Sequence, residues 1–260
     1  MNHLNKKMRI GIFVCADGER WGKEEGIIKM QHHIFSAAFN DDRIELRALK
    51  VISQGLPSLD EIKNYDGFII PGSHYSVDAD FEWIHKLEDF IRCLVRFHSN
   101  HRTRRPKLIG LCFGHQLISK ALGGEVGRNK HQKFCIGSES IVCTEAFTEK
   151  CFYHKALGVN KAQLRLLTAH SEEVTVPPET AMHCGSSEQC ENEILMYNDA
   201  ILTFQAHPDF PVTMITDTIL PFLVEREVIP IEQKADILEG VRGENDGTLV
   251  LKMIKEFIYS

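Results

Sequence analysis

The segment Gly110-Leu111-Cys112-Phe113-Gly114 has the spacing in this chain that points most directly to chemistry. An apolar run over residues 107–111 breaks at a cysteine and resumes as a helical pattern from Phe113 to about Leu122. Gly-x-Cys-x-Gly between a strand and a helix is the cysteine form of a nucleophile elbow. Such a turn holds the nucleophile in a strained backbone conformation, with its side chain pushed out beyond the sheet edge and its neighbours crowded together. Glycines at 110 and 114 remove the β-carbons that would collide. The turn also sets Cys112 at a helix N-terminus, where unpaired N–H groups favour a thiolate. The Phe113 amide then faces the place where an oxyanion forms. The expected chemistry is thiolate attack on an acyl carbon.

A thiolate of this kind needs a base within hydrogen-bond reach, and the base needs an orienting group. Thr203-Phe204-Gln205-Ala206-His207-Pro208-Asp209-Phe210 supplies both. An apolar strand ends there, His207 follows at its carboxyl end, and Asp209 comes two residues later across a proline. Residues i and i+2 of an extended segment point the same way, so the carboxylate can turn back onto the imidazole and fix its tautomer. Read differently, His-Pro-Asp is a helix-capping turn. Gly72-Ser73 ends another strand and opens a loop, where elbow hydrolases place a second oxyanion N–H. Gln116 falls one turn into the elbow helix, near the mouth of the same pocket. His170 is expected in a loop close by, shaping the site, and His74 beside Gly72 at the mouth. His115 reads as a packing residue.

These residues need a scaffold that brings strand ends together. Residues 8–15, 67–70 and 107–111 are short apolar runs of the kind buried on both faces of a parallel sheet. Ile44 to Val51 alternates, and helical spacing covers Glu24 to Phe39 and Trp83 to about Phe97, with Pro57-Ser58 capping a short helix. Strands alternating with helices predict an α/β fold with a mostly parallel, flavodoxin-like central sheet flanked by helices. Sites in such sheets form at the carboxyl ends of strands. Gly123-Gly124 stops the elbow helix. From Glu125 to about Gln205 the texture changes to short β-like pieces, which predicts extra antiparallel strands in the second half. Pro211 to Arg226 and Leu249 to Ile258 read as helices joined by a link over 230–243. With no repeat or linker in view, residues 1–260 are expected to form a single domain.

Composition narrows the function classes. The 260 residues are 43% hydrophobic and 25% charged, as in an ordinary globular protein. A net charge of −6 argues against a general nucleic-acid binder, and the basic stretch over 101–105 reads as a solvated loop. No run approaches the roughly 20 apolar residues of a membrane span, and the first residues are too short for a signal sequence. The eight cysteines show neither a Cys-x-x-Cys pair nor zinc-ligand spacing. The expectation is a reduced, cytoplasmic protein with no structural metal and no cofactor, in which Cys135, Cys143 and Cys184 are inert thiols in strands.

Gly110-Leu111-Cys112-Phe113-Gly114-His115-Gln116 together with Gln205-Ala206-His207-Pro208-Asp209-Phe210 resembles the class I glutamine amidotransferase family. The likeness extends to Tyr65-Asp66-Gly67-Phe68-Ile69-Ile70-Pro71-Gly72-Ser73, Gly123-Gly124-Glu125-Val126-Gly127-Arg128 and His170-Ser171-Glu172-Glu173-Val174. The stretch from Gly72-Ser73 to Trp83-Ile84 is most similar to the stand-alone branch containing plant γ-glutamyl peptidases. The resemblance implies Cys112 as nucleophile, His207 as base, oxyanion amides near Gly72 and Phe113, and Gln116 holding a γ-glutamyl group. The family motif ends His-Pro-Glu where this chain has His-Pro-Asp, one methylene shorter. The substrate implied is a small γ-glutamyl compound, glutamine or a γ-glutamyl peptide. Three activities share these residues: a stand-alone γ-glutamyl hydrolase, a glutaminase subunit feeding ammonia to a separate synthetase, and a catalytically weak binding or regulatory protein. No synthetase domain or nucleotide-binding glycine loop is present, which favours the first and leaves a synthetase partner unindicated. The mouth of the pocket is expected to be lined by loops 16–22, 73–80 and 128–134, with Arg20, Trp21, Tyr75 and His131.

Overall fold

The computed structural model describes residues 7–18, 23–100, 106–158 and 161–260; Arg20, Trp21 and the basic stretch at 101–105 lie outside them. The chain opens with β1 (Met8–Phe13), α1 (Lys23–Phe39), β2 (Ile44–Leu49), α2 (Leu59–Ile62), β3 (Gly67–Ile70), α3 (Glu82–Asn100), β4 (Lys107–Leu111) and α4 (Phe113–Ala121). Ser58 caps α2 in a full capping box with Glu61, as the Pro57-Ser58 pair foretold. β5 (Glu125–Arg128), β6 (Cys135–Cys143), α5 (Glu145–Thr148), α6 (Cys151–Leu157), β7 (Gln163–His170), β8 (Glu172–Val176), β9 (Met182–Ser186), β10 (Ile194–Tyr197) and β11 (Ile201–Phe204) follow.

Among the described residues these strands make a nine-stranded sheet ordered β2-β1-β3-β4-β11-β10-β9-β6-β7, with β5 and β8 paired beside it. Neighbours from β2 through β11 run parallel. Those from β11 to β7 run antiparallel. The fold is therefore α/β with a parallel core and an antiparallel extension, as the sequence predicts. One strand of the second half, β11, joins the parallel core, because Ile201 to Phe204 lies in register with Leu108 to Leu111 of β4. That pairing carries His207 to the same sheet edge as Cys112.

Alternation along the central strands feeds two cores. Ile10, Ile12, Ile69, Ile109 and Leu111 pack under α1 and the C-terminal helix. Phe13, Phe68, Ile70 and Leu108 pack under α3 and α4. Period-two burial on both faces is what a doubly covered parallel sheet requires. The helix expected over 211–226 is split, with a π-helical turn over Met214–Ile219 leading into α7 (Leu220–Glu225). The expected link over 230–243 holds a 3-10 turn (Ile231–Gln233) and α8 (Lys234–Gly240). These pieces pack on Leu167 and Ile136 as a third cluster. α9 (Gly247–Tyr259) closes the chain. No helix among the described residues is long and apolar enough to cross a membrane.

Candidate functional site

Cys112 sits between β4 and α4 with φ 48° and ψ −102°, a region an L-residue occupies only under constraint. Both of its main-chain groups are pinned. Its N–H donates to the Phe204 carbonyl at 2.8 Å, and its carbonyl accepts from the Gln116 N–H at 3.0 Å. The glycine requirement is literal. A β-carbon on Gly110 would lie 2.6 Å from the Gly114 carbonyl oxygen, and one on Gly114 would lie 2.0 Å from that of Ile70. The first N–H groups of α4, Phe113 among them, have no acceptor within the helix. The far end of α4 is tied to the loop after Gly72, since the Lys120 ammonium donates to the Val77 carbonyl at 2.9 Å.

His207 and Asp209 follow β11. The His207 N–H donates to the Leu167 carbonyl of β7 at 2.8 Å, so the antiparallel half fixes its backbone. Its ring stacks on Phe210 with centroids 3.6 Å apart. Nδ1 lies 3.2 Å from the Asp209 carboxylate, a reach the shorter acid makes because the two residues share one turn. That contact leaves Nε2 as the ring nitrogen available to Cys112, whose sulfur acts on the imidazole electrostatically. Burial opposes a charge on this imidazole, but the Cys112 sulfur and the Asp209 carboxylate together outweigh it and raise the His207 pKa. A protonated imidazole beside the sulfur is the arrangement that sustains a thiolate. A β-carbon on Gly72 would stand 2.5 Å from His207 Cε1, so glycine is needed there for the ring to fit.

Gln205 was not singled out by the sequence reading. It lies two residues before His207, on the same side of the extended chain, and its amide nitrogen stands 3.7 Å from the Cys112 sulfur. Its carbonyl accepts from the Gln116 amide at 3.2 Å, and that same Gln116 nitrogen donates to the Glu172 carbonyl at 2.6 Å. Gln116 is thus buried and braced, with its own carbonyl oxygen as the remaining acceptor. His170 is the last residue of β7, not a loop residue. Its Nδ1 faces the Glu172 carbonyl at 3.1 Å, and burial, then the charge of His207, push its pKa down to about 4. His115 is buried with Nδ1 at 2.8 Å from the Thr203 hydroxyl, and burial pushes it to about 3. It packs, as expected. Ser73 donates its hydroxyl to the Cys15 carbonyl at 2.5 Å, which holds the Gly72 loop against the strand end.

A cavity of about 640 Å³ opens over Cys112 and His207. Gly72, Ser73, Phe113, Gln116, His170 and Asp209 all border it, so the sequence-predicted residues converge on one space. His74 and Tyr75 also border it, with the Tyr75 hydroxyl donating to Asp17 at 2.8 Å. The loop at 128–134 contributes Phe134 to the lining. All eight cysteines are free thiols. No group of three or more His, Cys, Asp or Glu among the described residues is placed to hold a metal ion.

Comparison with known proteins places the chain among relatives. The Glutamine amidotransferase class-I family matches residues 39–225. Gamma-glutamyl peptidase 4 of Arabidopsis thaliana is 31% identical over 189 residues, covering 72% of this chain and 71% of the relative. A putative glutamine amidotransferase-like protein of Schizosaccharomyces pombe is 31% identical over 202 residues, 78% of this chain and 75% of its own. The solved structure of a glutamine amidotransferase from Thermotoga maritima superposes with a TM-score of 0.71 at 15% identity, covering 97% of this chain and 99% of that one.

Proposed function

The chain belongs to the class I glutamine amidotransferase family, and from that premise we propose that it is a stand-alone γ-glutamyl hydrolase working through Cys112, His207 and Asp209. The observation that carries the reading is Cys112 itself, held in its strained conformation at a helix N-terminus with the His207–Asp209 pair against its sulfur. The sulfur attacks the γ-carbonyl carbon of a γ-glutamyl amide. A carbon–sulfur bond forms and the carbonyl electrons move onto oxygen, which the Phe113 and Gly72-loop amides receive. As the oxyanion collapses, the carbon–nitrogen bond breaks and His207 Nε2 gives its proton to the leaving amine. His207 then takes a proton from water, whose oxygen attacks the thioester, releasing glutamate and regenerating the thiolate. Asp209 holds the imidazole in the tautomer that both steps use.

Gln116 presents a carbonyl oxygen suited to the α-ammonium of the glutamyl group, since its amide hydrogens are taken by Glu172 and Gln205. The cavity volume of about 640 Å³ suits a leaving group larger than ammonia. That favours a γ-glutamyl peptide or related amide over glutamine and needs no synthetase. The test is glutamate release by the isolated protein from γ-glutamyl peptides and from glutamine. Release from the peptides at the higher kcat/KM is the expected result. A protein that hydrolyses only glutamine, and only after a synthetase is added, belongs instead to the ammonia-delivering type.

A further inference from the structure

Beyond the reacting atoms, the residues bordering the cavity fall into two chemically different sets. Gln116, His170 and Glu172 form a polar set in which main-chain and side-chain groups gather. The other set is mainly apolar and comes from two helical segments. α1 contributes Ile27, Met30 and Ile34, and the segment after His207 contributes Met214, Ile219 and Phe222 from the π turn and α7. A γ-glutamyl head is a zwitterion, and placing it against the apolar set would strip both charges of water without a charged partner. The head therefore takes the polar lining, which leaves the apolar lining to the other side of the scissile bond.

Resting on the proposed hydrolase reading, we infer that the cleft between α1 and the π turn is the leaving-group subsite, and that it selects γ-glutamyl amides whose amine carries an extended apolar group. Three features of the cleft fit this occupant. The π turn is a rare geometry frequently found at functional sites, and its wider winding brings Met214 and Ile219, five residues apart, onto the one side that faces the cavity. Met30 and Met214 both line it as unbranched, polarisable side chains that adapt to differently shaped apolar groups. Gly26, inside α1, also borders the cavity, and a β-carbon built on it meets nothing within 4 Å. A glycine within a helix costs about 1 kcal/mol relative to alanine. Its bare backbone leaves this rim of the cleft open where a side chain would narrow it.

The experiment compares glutamine with γ-glutamyl butylamide and γ-glutamyl 4-phenylbutylamide, following glutamate release by the wild-type chain and by Gly26→Leu and Phe222→Ala. Each methylene taken into the cleft is worth up to about fourfold in kcat/KM. The phenylbutylamide should therefore exceed glutamine by at least tenfold. Gly26→Leu fills the rim and raises helix propensity, so it should fold, and it should lower kcat/KM for the phenylbutylamide at least tenfold more than for glutamine. Phe222→Ala, which removes part of the opposite wall, should shrink the same ratio. Values that are flat or falling along the wild-type series, or equal losses on both substrates in Gly26→Leu, overturn the inference and leave the hydrolase reading standing. Absence of glutamate release from every amide, glutamine included, overturns the hydrolase reading and this inference with it.

Discussion

Two regions of the molecule hold cysteines at the same depth in different company. Cys112, at the carboxyl edge of the parallel core, is 6% exposed; Cys135 and Cys143, on β6 of the antiparallel extension, are also 6% exposed. Burial pushes Cys135 up to about 11, and the nearby carboxylates Glu173, Glu139 and Glu193 push the same way. Burial pushes Cys143 up to about 11 against a hydrogen bond from Tyr153, and burial first, then Cys143, push Cys184 to about 12. At each of those thiols burial dominates, and at Cys184 the charge of Lys150 only partly offsets it. Cys112 has a helix N-terminus, the Gln205 amide and the raised His207 imidazole. Solvent access therefore does not distinguish Cys112 from the other thiols. What distinguishes it in the proposed reading is the imidazole of His207, which the pairing of β4 with β11 brings to its side.

The sharpest way to break this contrast is to remove its centre. Cys112→Ala should lower turnover by about 10⁴-fold or more and abolish labelling by a γ-glutamyl electrophile at neutral pH, while Cys135→Ser and Cys143→Ser retain both. Mass mapping of the labelled cysteine checks it, and adduct on Cys135 or Cys143 would erase the distinction. Next in size is Gly114→Ala. The added β-carbon meets the Ile70 backbone carbonyl oxygen at 2.0 Å, a collision that cannot be relieved without shifting strand or helix backbone. A loss of about 3 kcal/mol or more in urea unfolding is expected. An unchanged midpoint would mean that the elbow is looser than its geometry.

Asp209→Ala tests the orienting contact. With the 3.2 Å bond to His207 removed, kcat should fall by about tenfold to a thousandfold with KM little changed, because the group acts in the transition state. Wild-type kinetics would reduce Asp209 to a cap on the following turn. The smallest effect concerns the antiparallel side. Glu193 is fully buried, and burial above all raises it to about 8. A carboxyl whose folded value lies above its unfolded value stabilises fully at acid pH, and that stability is lost as pH rises towards 8. Glu193→Gln should therefore gain in Tm over wild type progressively between pH 5 and pH 8, by about 5 °C at the upper end. A constant difference across that range would show that the carboxyl is already ionised in the fold.

Much of the site could be read from residue types, because the elbow and the His-Pro-Asp turn are local devices. Gly110, Cys112 and Gly114 encode a strained turn through sterics that act within five residues. His207 and Asp209 encode a contact across two. The α/β order of β1 to α4 was legible for a related reason, since apolar runs and helical periods are short-range signals. Other features depended on partners remote in sequence. That β11 pairs with β4 and not merely with its hairpin neighbour follows from register across ninety-odd residues, and without it His207 would not meet Cys112. Gln205 gains its place at the sulfur only through that pairing. His170 became the end of a strand because β6 binds the whole length of β7, a long-range ladder that overrides the local look of Ala169-His170-Ser171. The split of 211–226 into a π turn and a helix depends on how those side chains pack on Leu167 and Ile136. The sequence by itself determined the candidate reactive groups and the turns that strain or orient them, through sterics and hydrogen bonds between near neighbours. Only the tertiary structure decided which strand ends meet and what shape of cavity lies over them, because that depends on burying apolar faces contributed by distant parts of the chain.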